Sequence, residues 1–137
     1  MRILQLHCTY FNYEVRKDTP VAERPAQPKR EDLEEVLVCF TCFEKKDGGR
    51  STDIVNLFIE NLLNDVKRIG CNRVLLYPYA HLSQSLGSPR EAKEFFHVLQ
   101  EKIKEEGLEV HKSPFGWYKT FELECKGHPL AEAYREY

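Results

Sequence analysis

The chain has 137 residues, 42% hydrophobic and 31% charged, with a formal net charge of −2. That length suits one domain around a single core, and the near-neutral balance gives no bulk electrostatic argument for nucleic-acid binding, although a local basic patch would suffice. No run is long and apolar enough to span a bilayer, and Ile3-Leu4-Gln5-Leu6 is too short for a signal-peptide core, so no membrane association and a cytoplasmic location are expected.

In chain order, the first strand is expected over Arg2 to Tyr10. A long polar connection with Pro20, Pro25 and Pro28 follows and reads as a surface excursion. A second strand is expected from about Glu35 to Glu44, closed by the turn signal Asp47-Gly48-Gly49. Ile54, Phe58, Leu62 and Val66 recur at every fourth position and predict a helix that follows Ser51 or Thr52 and runs to about Ile69, ended by Gly70. Arg73 to Tyr77 reads as a buried strand. A second helix opens with Ser88 as N-cap, Pro89 in its first turn and Glu91 completing a capping box. Its apolar face is Phe95, Phe96, Leu99 and Ile103, and Gly107 stops it. Strands over Leu108 to Lys112 and Trp117 to Cys125 come next, then a short terminal helix from Pro129. The pattern predicts a mixed α/β sheet with two long helices packed on it, parallel at the two helical crossovers. Hairpins are expected for the first and last strand pairs. Leu4, Leu6, Val36, Val38, Val74 and Leu76 are the expected sheet contribution to the core.

Five cysteines are present, an odd number. Cys39 and Cys42 form a C-x-x-C, but residues three apart on a strand face opposite ways, which opposes a shared metal ion. They read as small buried thiols. No metal site and no cofactor are expected, since the chain has no H-E-x-x-H, P-loop, dinucleotide fingerprint or G-x-S-x-G.

Three stretches carry the chemistry. Tyr77-Pro78-Tyr79-Ala80-His81-Leu82-Ser83 places a histidine just beyond a strand end, where α/β sheets usually build sites. An imidazole there can act as a base or orient a water, or can serve only as a structural hydrogen-bonding group. Pro114-Phe115-Gly116-Trp117-Tyr118-Lys119 sets a lysine among aromatic residues. If desolvated, Lys119 can activate water or stabilise an oxyanion; otherwise it is a solvated surface residue. Tyr118 offers a hydroxyl and a flat face, or is simply core. Gly116 permits close backbone approach. Cys125-Lys126-Gly127-His128-Pro129-Leu130-Ala131-Glu132 opens the C-terminal segment. Glu132 can pair with Lys119, or be an ordinary helix-surface carboxylate. Adjacent residues on a regular strand face opposite ways, so Tyr118 and Lys119 can share a cleft only if the strand is irregular or Tyr118 acts through its backbone.

These three runs resemble the signature runs of the archaeal threonyl-tRNA synthetase N-terminal editing domain. The opening Met1 to His7, Tyr13-Glu14-Val15 and Glu34 to Val38 are similar to it as well, so the likeness spans essentially the whole chain. The resemblance implies a D-aminoacyl-tRNA deacylase-like fold and hydrolysis of serine from mischarged tRNA(Thr), with possible removal of D-amino acids. It implies His81, Tyr118, Lys119 and Glu132 as catalytic positions. The amino-acid moiety is expected to be held mainly by backbone groups near Pro78, Ala80 and Phe115, with Gly116 permitting close approach. Residues 1–137 are then a single editing domain, the N-terminal part of a longer synthetase, and expected to form a homodimer. Its partners would be the seryl-tRNA(Thr) 3′ end and the rest of the synthetase. Two other readings stand beside it: a free-standing D-aminoacyl-tRNA deacylase, and a non-catalytic RNA-binding module that retains the fold.

Overall fold

The computed structural model describes residues 1–137. Six strands and two long helices follow in the order β1 (Arg2–Asp18), β2 (Arg30–Cys42), α1 (Ser51–Ile69), β3 (Arg73–Pro78), α2 (Pro89–Glu105), β4 (Glu109–Lys112), β5 (Trp117–Cys125) and β6 (Glu132–Glu136). They form one mixed sheet ordered β4-β3-β2-β1-β5, with β6 also paired to β1. The β2–β3 and β3–β4 pairs are parallel, as their helical crossovers require, and β1–β2 is an antiparallel hairpin.

One end of each helix is set by its local sequence, whereas α1 begins after Arg50 without a side-chain cap. The Ser88 hydroxyl accepts the Glu91 backbone N–H at 3.2 Å, and Gly70 takes the left-handed conformation that closes α1, at φ 68°. Their apolar stripes lie on one sheet face. Phe58, Leu62, Phe96 and Leu99 are fully buried there against Ile3, Leu37, Cys39, Val74 and Leu76. Each such side chain contributes about 1.5–3 kcal/mol by leaving water.

Three expectations are corrected. The hairpin strands run well beyond the predicted ends, because Asn12 to Lys17 pair with β5 as well as, in part, with β2. The segment after Pro129 is a strand, since Glu132 to Glu136 find open hydrogen-bonding groups on β1 from Leu6 to Arg2. Finally, β4 and β5 are not a hairpin: β5 leaves β4 and joins β1 on the far side of the sheet.

That last crossover shapes the molecule. Flat, the four spacings from β4 to β5 would measure about 19 Å. The chain from Lys112 to Trp117 reaches only about 18 Å at full extension. The sheet therefore curls, and its second face closes on a separate core of Phe11, Tyr13, Val38, Phe40, Leu75 and Tyr77. Phe121 of β5 consequently meets Phe40 of β2 at 5.7 Å and Tyr77 of β3 at 5.8 Å between ring centroids. Irregularity at Thr9 and Glu35 helps the bend. Glu35 has φ 48°, and the β1–β5 register slips between Cys8 and Tyr10. Leu4 and Leu6 face this second core and are only partly buried, whereas Ile3 and Gln5 are buried on the helix side. The alternation is as expected, but its phase is the reverse.

Candidate active site

The curl leaves a cleft of about 410 Å³ where the end of β3, the start of α2 and the start of β5 converge. Pro78, Ala80, His81, Phe115, Gly116, Tyr118 and Lys119 all line it. The structure thus gathers seven of the eight residues singled out above. Glu132 is the exception. It pairs with Leu6, whereas Lys119 pairs with Val15, nine residues along β1 and roughly 30 Å of strand contour away. Glu132 instead lines a small separate depression with Arg68 and Arg135. It is an exposed strand residue, and the expected Glu132–Lys119 pair does not form within the chain.

Lys119 is held by other means. Its Nζ donates to the Pro114 carbonyl at 2.8 Å and the Trp117 carbonyl at 3.1 Å. It also sits 4.8 Å from the centroid of the Tyr77 ring. Burial, reinforced by the neighbouring Lys112 charge and opposed by Glu23, draws its pKa down to about 8. Burial pushes the Tyr77 hydroxyl upward, so that ring stays neutral beneath the amine.

Tyr118 and Lys119 both reach the cleft because the register with β1 slips between Val15 and Lys17, opposite them. The irregularity sits in the partner strand, not after Gly116. Tyr118 forms the outer rim and is 61% exposed.

His81 rides on a single 3-10 turn, Ala80–Leu82, directly after β3. Its ring is exposed and packs edge-on to Tyr79 at 5.1 Å. The turn is pinned from beneath. Arg2 donates to the Leu82 carbonyl at 3.1 Å, the Ser83 hydroxyl donates to Glu44 Oε1 at 2.7 Å, and the Tyr79 N–H donates to Thr41 O at 2.8 Å. Burial works against the Glu44 charge, but the Ser83 hydroxyl, the Met1 ammonium, Lys46 and Arg2 hold its carboxyl below the usual range.

The Phe115–Gly116 backbone is occupied by the chain itself. Thr19 gives both its N–H and its hydroxyl to Gly116 O, at 3.0 and 2.7 Å. Glu23 receives the Phe115 N–H on its carboxylate at 2.6 Å and returns its own N–H to Phe115 O at 2.9 Å. Gly116 has φ 74°, and a Cβ there would lie 2.8 Å from Ala22 Cα. The glycine therefore makes room for residues 21 and 22 of the first loop on the side where a Cβ would point. The proline-rich connection, which looked like a surface excursion, is a wall brace. Nothing in its spacing announced Glu23 or Thr19. Arg2, Glu44 and Ser83 were equally hidden, because a pinning role appears only once the strands are aligned.

Cys39 packs under the helices, while the Cys42 thiol points the other way, 3.8 Å from the Ala80 carbonyl. Burial pushes them up to about 12 and about 11, so both stay protonated thiols.

An apolar cleft bearing a desolvated lysine and an exposed histidine can polarise a carbonyl or a water. The fold itself is shared with a solved structure described as c-Myc DNA Unwinding Element Binding Protein. The TM-score is 0.70 at 10% identity, covering 100% of this chain and 99% of that one, which bears on the fold alone.

The chain belongs to the Archaea-specific editing-domain family of threonyl-tRNA synthetase, whose family model matches residues 1–137. It is 43% identical over 136 residues to the threonine–tRNA ligase of Methanobrevibacter smithii, and 39% over 140 residues to that of Pyrococcus horikoshii. Each alignment covers 98% of this chain and 22% of the relative, so the chain spans about a fifth of these proteins' length.

Proposed function

We propose that this domain is the N-terminal proofreading unit of a cytoplasmic threonyl-tRNA synthetase and hydrolyses the ester of seryl-tRNA(Thr). The observation that carries the reading is Lys119, an amine in the cleft drawn down to about 8 with two of its three nitrogen positions bound to carbonyls. The third is left for substrate. When the amine is protonated it is an N–H aimed at a developing oxyanion, and when it is neutral it is a lone pair that can accept a proton from water. An aminoacyl ester is already activated, so positioning and polarisation suffice.

His81 addresses the terminal ribose or the water, Tyr118 shapes the rim, and the backbone at Pro78 and Ala80 meets the amino-acid moiety. The tRNA 2′-OH shares the work. The chemical need is clear: serine and threonine differ by one methyl, which a single binding site resolves by only about 1–3 kcal/mol. Exposed Tyr118, Phe121, Leu130 and Tyr134 on β5, β6 and the segment between them support pairing of two copies.

The test is deacylation by the 137-residue chain of Ser-, Thr- and D-aminoacyl-tRNA. Rapid loss of serine with threonine spared is expected. Hydrolysis of D-aminoacyl esters only would make it a D-aminoacyl-tRNA deacylase, and no hydrolysis of any ester would leave a binding module.

A further inference from the structure

Lys119 is not held in isolation. The wall that supplies its Pro114 carbonyl is fixed by one carboxylate, Glu23, and that carboxylate has a second task. Lys112, at the end of β4, donates to both Glu23 oxygens, at 2.9 and 2.8 Å. The same carboxylate takes the Phe115 N–H, next to Pro114, at 2.6 Å. The Lys112 side chain is largely buried, at 14% exposure, and that of Glu23 is 35% exposed. The sheltered Lys112 charge acts on its neighbours through less intervening water than a surface charge would.

We propose that Glu23 and Lys112 form a charge pair that positions Lys119 and sets how readily it gives up its proton. The inference rests on the hydrolytic reading of Lys119 given above. Neither residue touches the reacting atoms; both act through Lys119. Lys112 repels the ammonium and favours the neutral amine. Glu23 attracts it, offsets much of the Lys112 charge, and anchors the β4–β5 connection that carries the Pro114 carbonyl. The remaining titratable groups of the cleft around Lys119 are the Tyr77 hydroxyl from β3, Tyr118 on its own strand, Tyr79 with His81 at and after the end of β3, and the Cys42 thiol at the end of β2, which burial keeps protonated. The buried Tyr77 hydroxyl stays neutral, so Lys112 and Glu23 are the charged pair acting on the amine. The first loop, which ties β1 to the start of β5, thereby enters the control of the cleft.

The test follows the Lys119 amine directly by NMR titration of its Nζ resonance, assigned by its loss in Lys119→Met, alongside the pH profile of seryl-tRNA hydrolysis. Lys112→Met removes a positive neighbour and is expected to raise the Lys119 midpoint. Glu23→Gln keeps an acceptor for the Phe115 N–H, removes the negative charge, and is expected to lower it. Each shift should be of order half a pH unit. Glu23→Asp retains the charge and should return most of the way to the wild-type midpoint. Opposite shifts distinguish electrostatic tuning from damage to the wall, which moves both variants the same way. Unchanged midpoints, or shifts of one sign, overturn the proposal. Opposite midpoint shifts with an unchanged hydrolysis profile uphold the tuning and refute the hydrolytic role of Lys119.

Discussion

Lys119→Met separates activity from stability. In the folded chain the Lys119 amine titrates near 8, against an ordinary value of 10.5. Between those two pH values the unfolded chain binds the proton and the folded chain does not, so stability rises with pH across that window. At about 1.4 kcal/mol per pH unit, the buried ammonium costs the fold about 3 kcal/mol below pH 8, relative to pH above 10.5. Lys119→Met has nothing to titrate there.

Urea unfolding of both proteins at pH 7 and pH 10 measures the difference. The wild-type chain is expected to gain about 2 kcal/mol relative to the variant between the two conditions. Tyrosine and cysteine ionisation affect both proteins alike and cancel in the comparison. The variant should also lose most of the chemical step of seryl-tRNA hydrolysis, read at saturating substrate. Parallel stability curves for the two proteins would falsify the desolvated-amine argument, whatever the activity. Full hydrolysis by a folded Lys119→Met chain would instead make the lysine a bystander.

Other expectations concern the surrounding frame. His81→Ala should reduce the hydrolytic rate less than Lys119→Met does, with circular dichroism unchanged, because the ring is exposed and, on the proposed mechanism, the tRNA 2′-OH shares its task; an equal loss would refute that division. Gly116→Ala forces a left-handed alanine against Ala22 and should destabilise by about 1–3 kcal/mol, lowering the thermal midpoint; an unshifted midpoint would mean that the first loop does not brace the wall. His111 bridges Glu31 at 2.6 Å and Glu109 at 2.8 Å. Burial works against its charge, but those two carboxylates hold its pKa above the ordinary 6.5. Its contribution is therefore complete below about pH 6.5 and fades as pH rises through the elevated folded value. His111→Gln should lose stability at pH 6 and much less at pH 9, and equal losses at both would refute the bridge.

The helices and crossovers were legible because each leaves a local mark. Ser88-Pro89 with Glu91 declares the start of α2, and Ile54, Phe58, Leu62 and Val66 declare the buried face of α1. The two strands on either side of α2, β3 and β4, were bounded well for the same reason. What local pattern could not carry was partnership between distant segments. Leu4 and Leu6 look more core-like than Ile3 and Gln5, but the facing helices decide the phase. Glu132 in Pro129-Leu130-Ala131-Glu132 reads as the start of a helix, yet unpaired groups on β1 capture it as a strand. In the cleft, His81 and Lys119 stood out by residue type and by resemblance. Their supports did not. Thr19, Glu23, Arg2 and Glu44 contribute through contacts with residues about 40 to 100 positions away, and such contacts leave no spacing in the sequence.

The seam from Ser113 to Gly116, where the curled sheet brings its two margins together, bears on how binding and folding are coupled. The lysine enters from one margin and the histidine from the middle of the sheet, while the first loop ties the seam shut. No contiguous fragment contains the cleft, and it is assembled only when the long β1 has found all its partners. Any occupant that spans the histidine and lysine walls must therefore draw on the same free energy that holds the margins together. A non-hydrolysable seryl-adenosine analogue at 100 times its dissociation constant would then protect the whole chain by about 2.7 kcal/mol. That protection would appear as slowed amide exchange along the seam and β5, far beyond the residues the ligand touches.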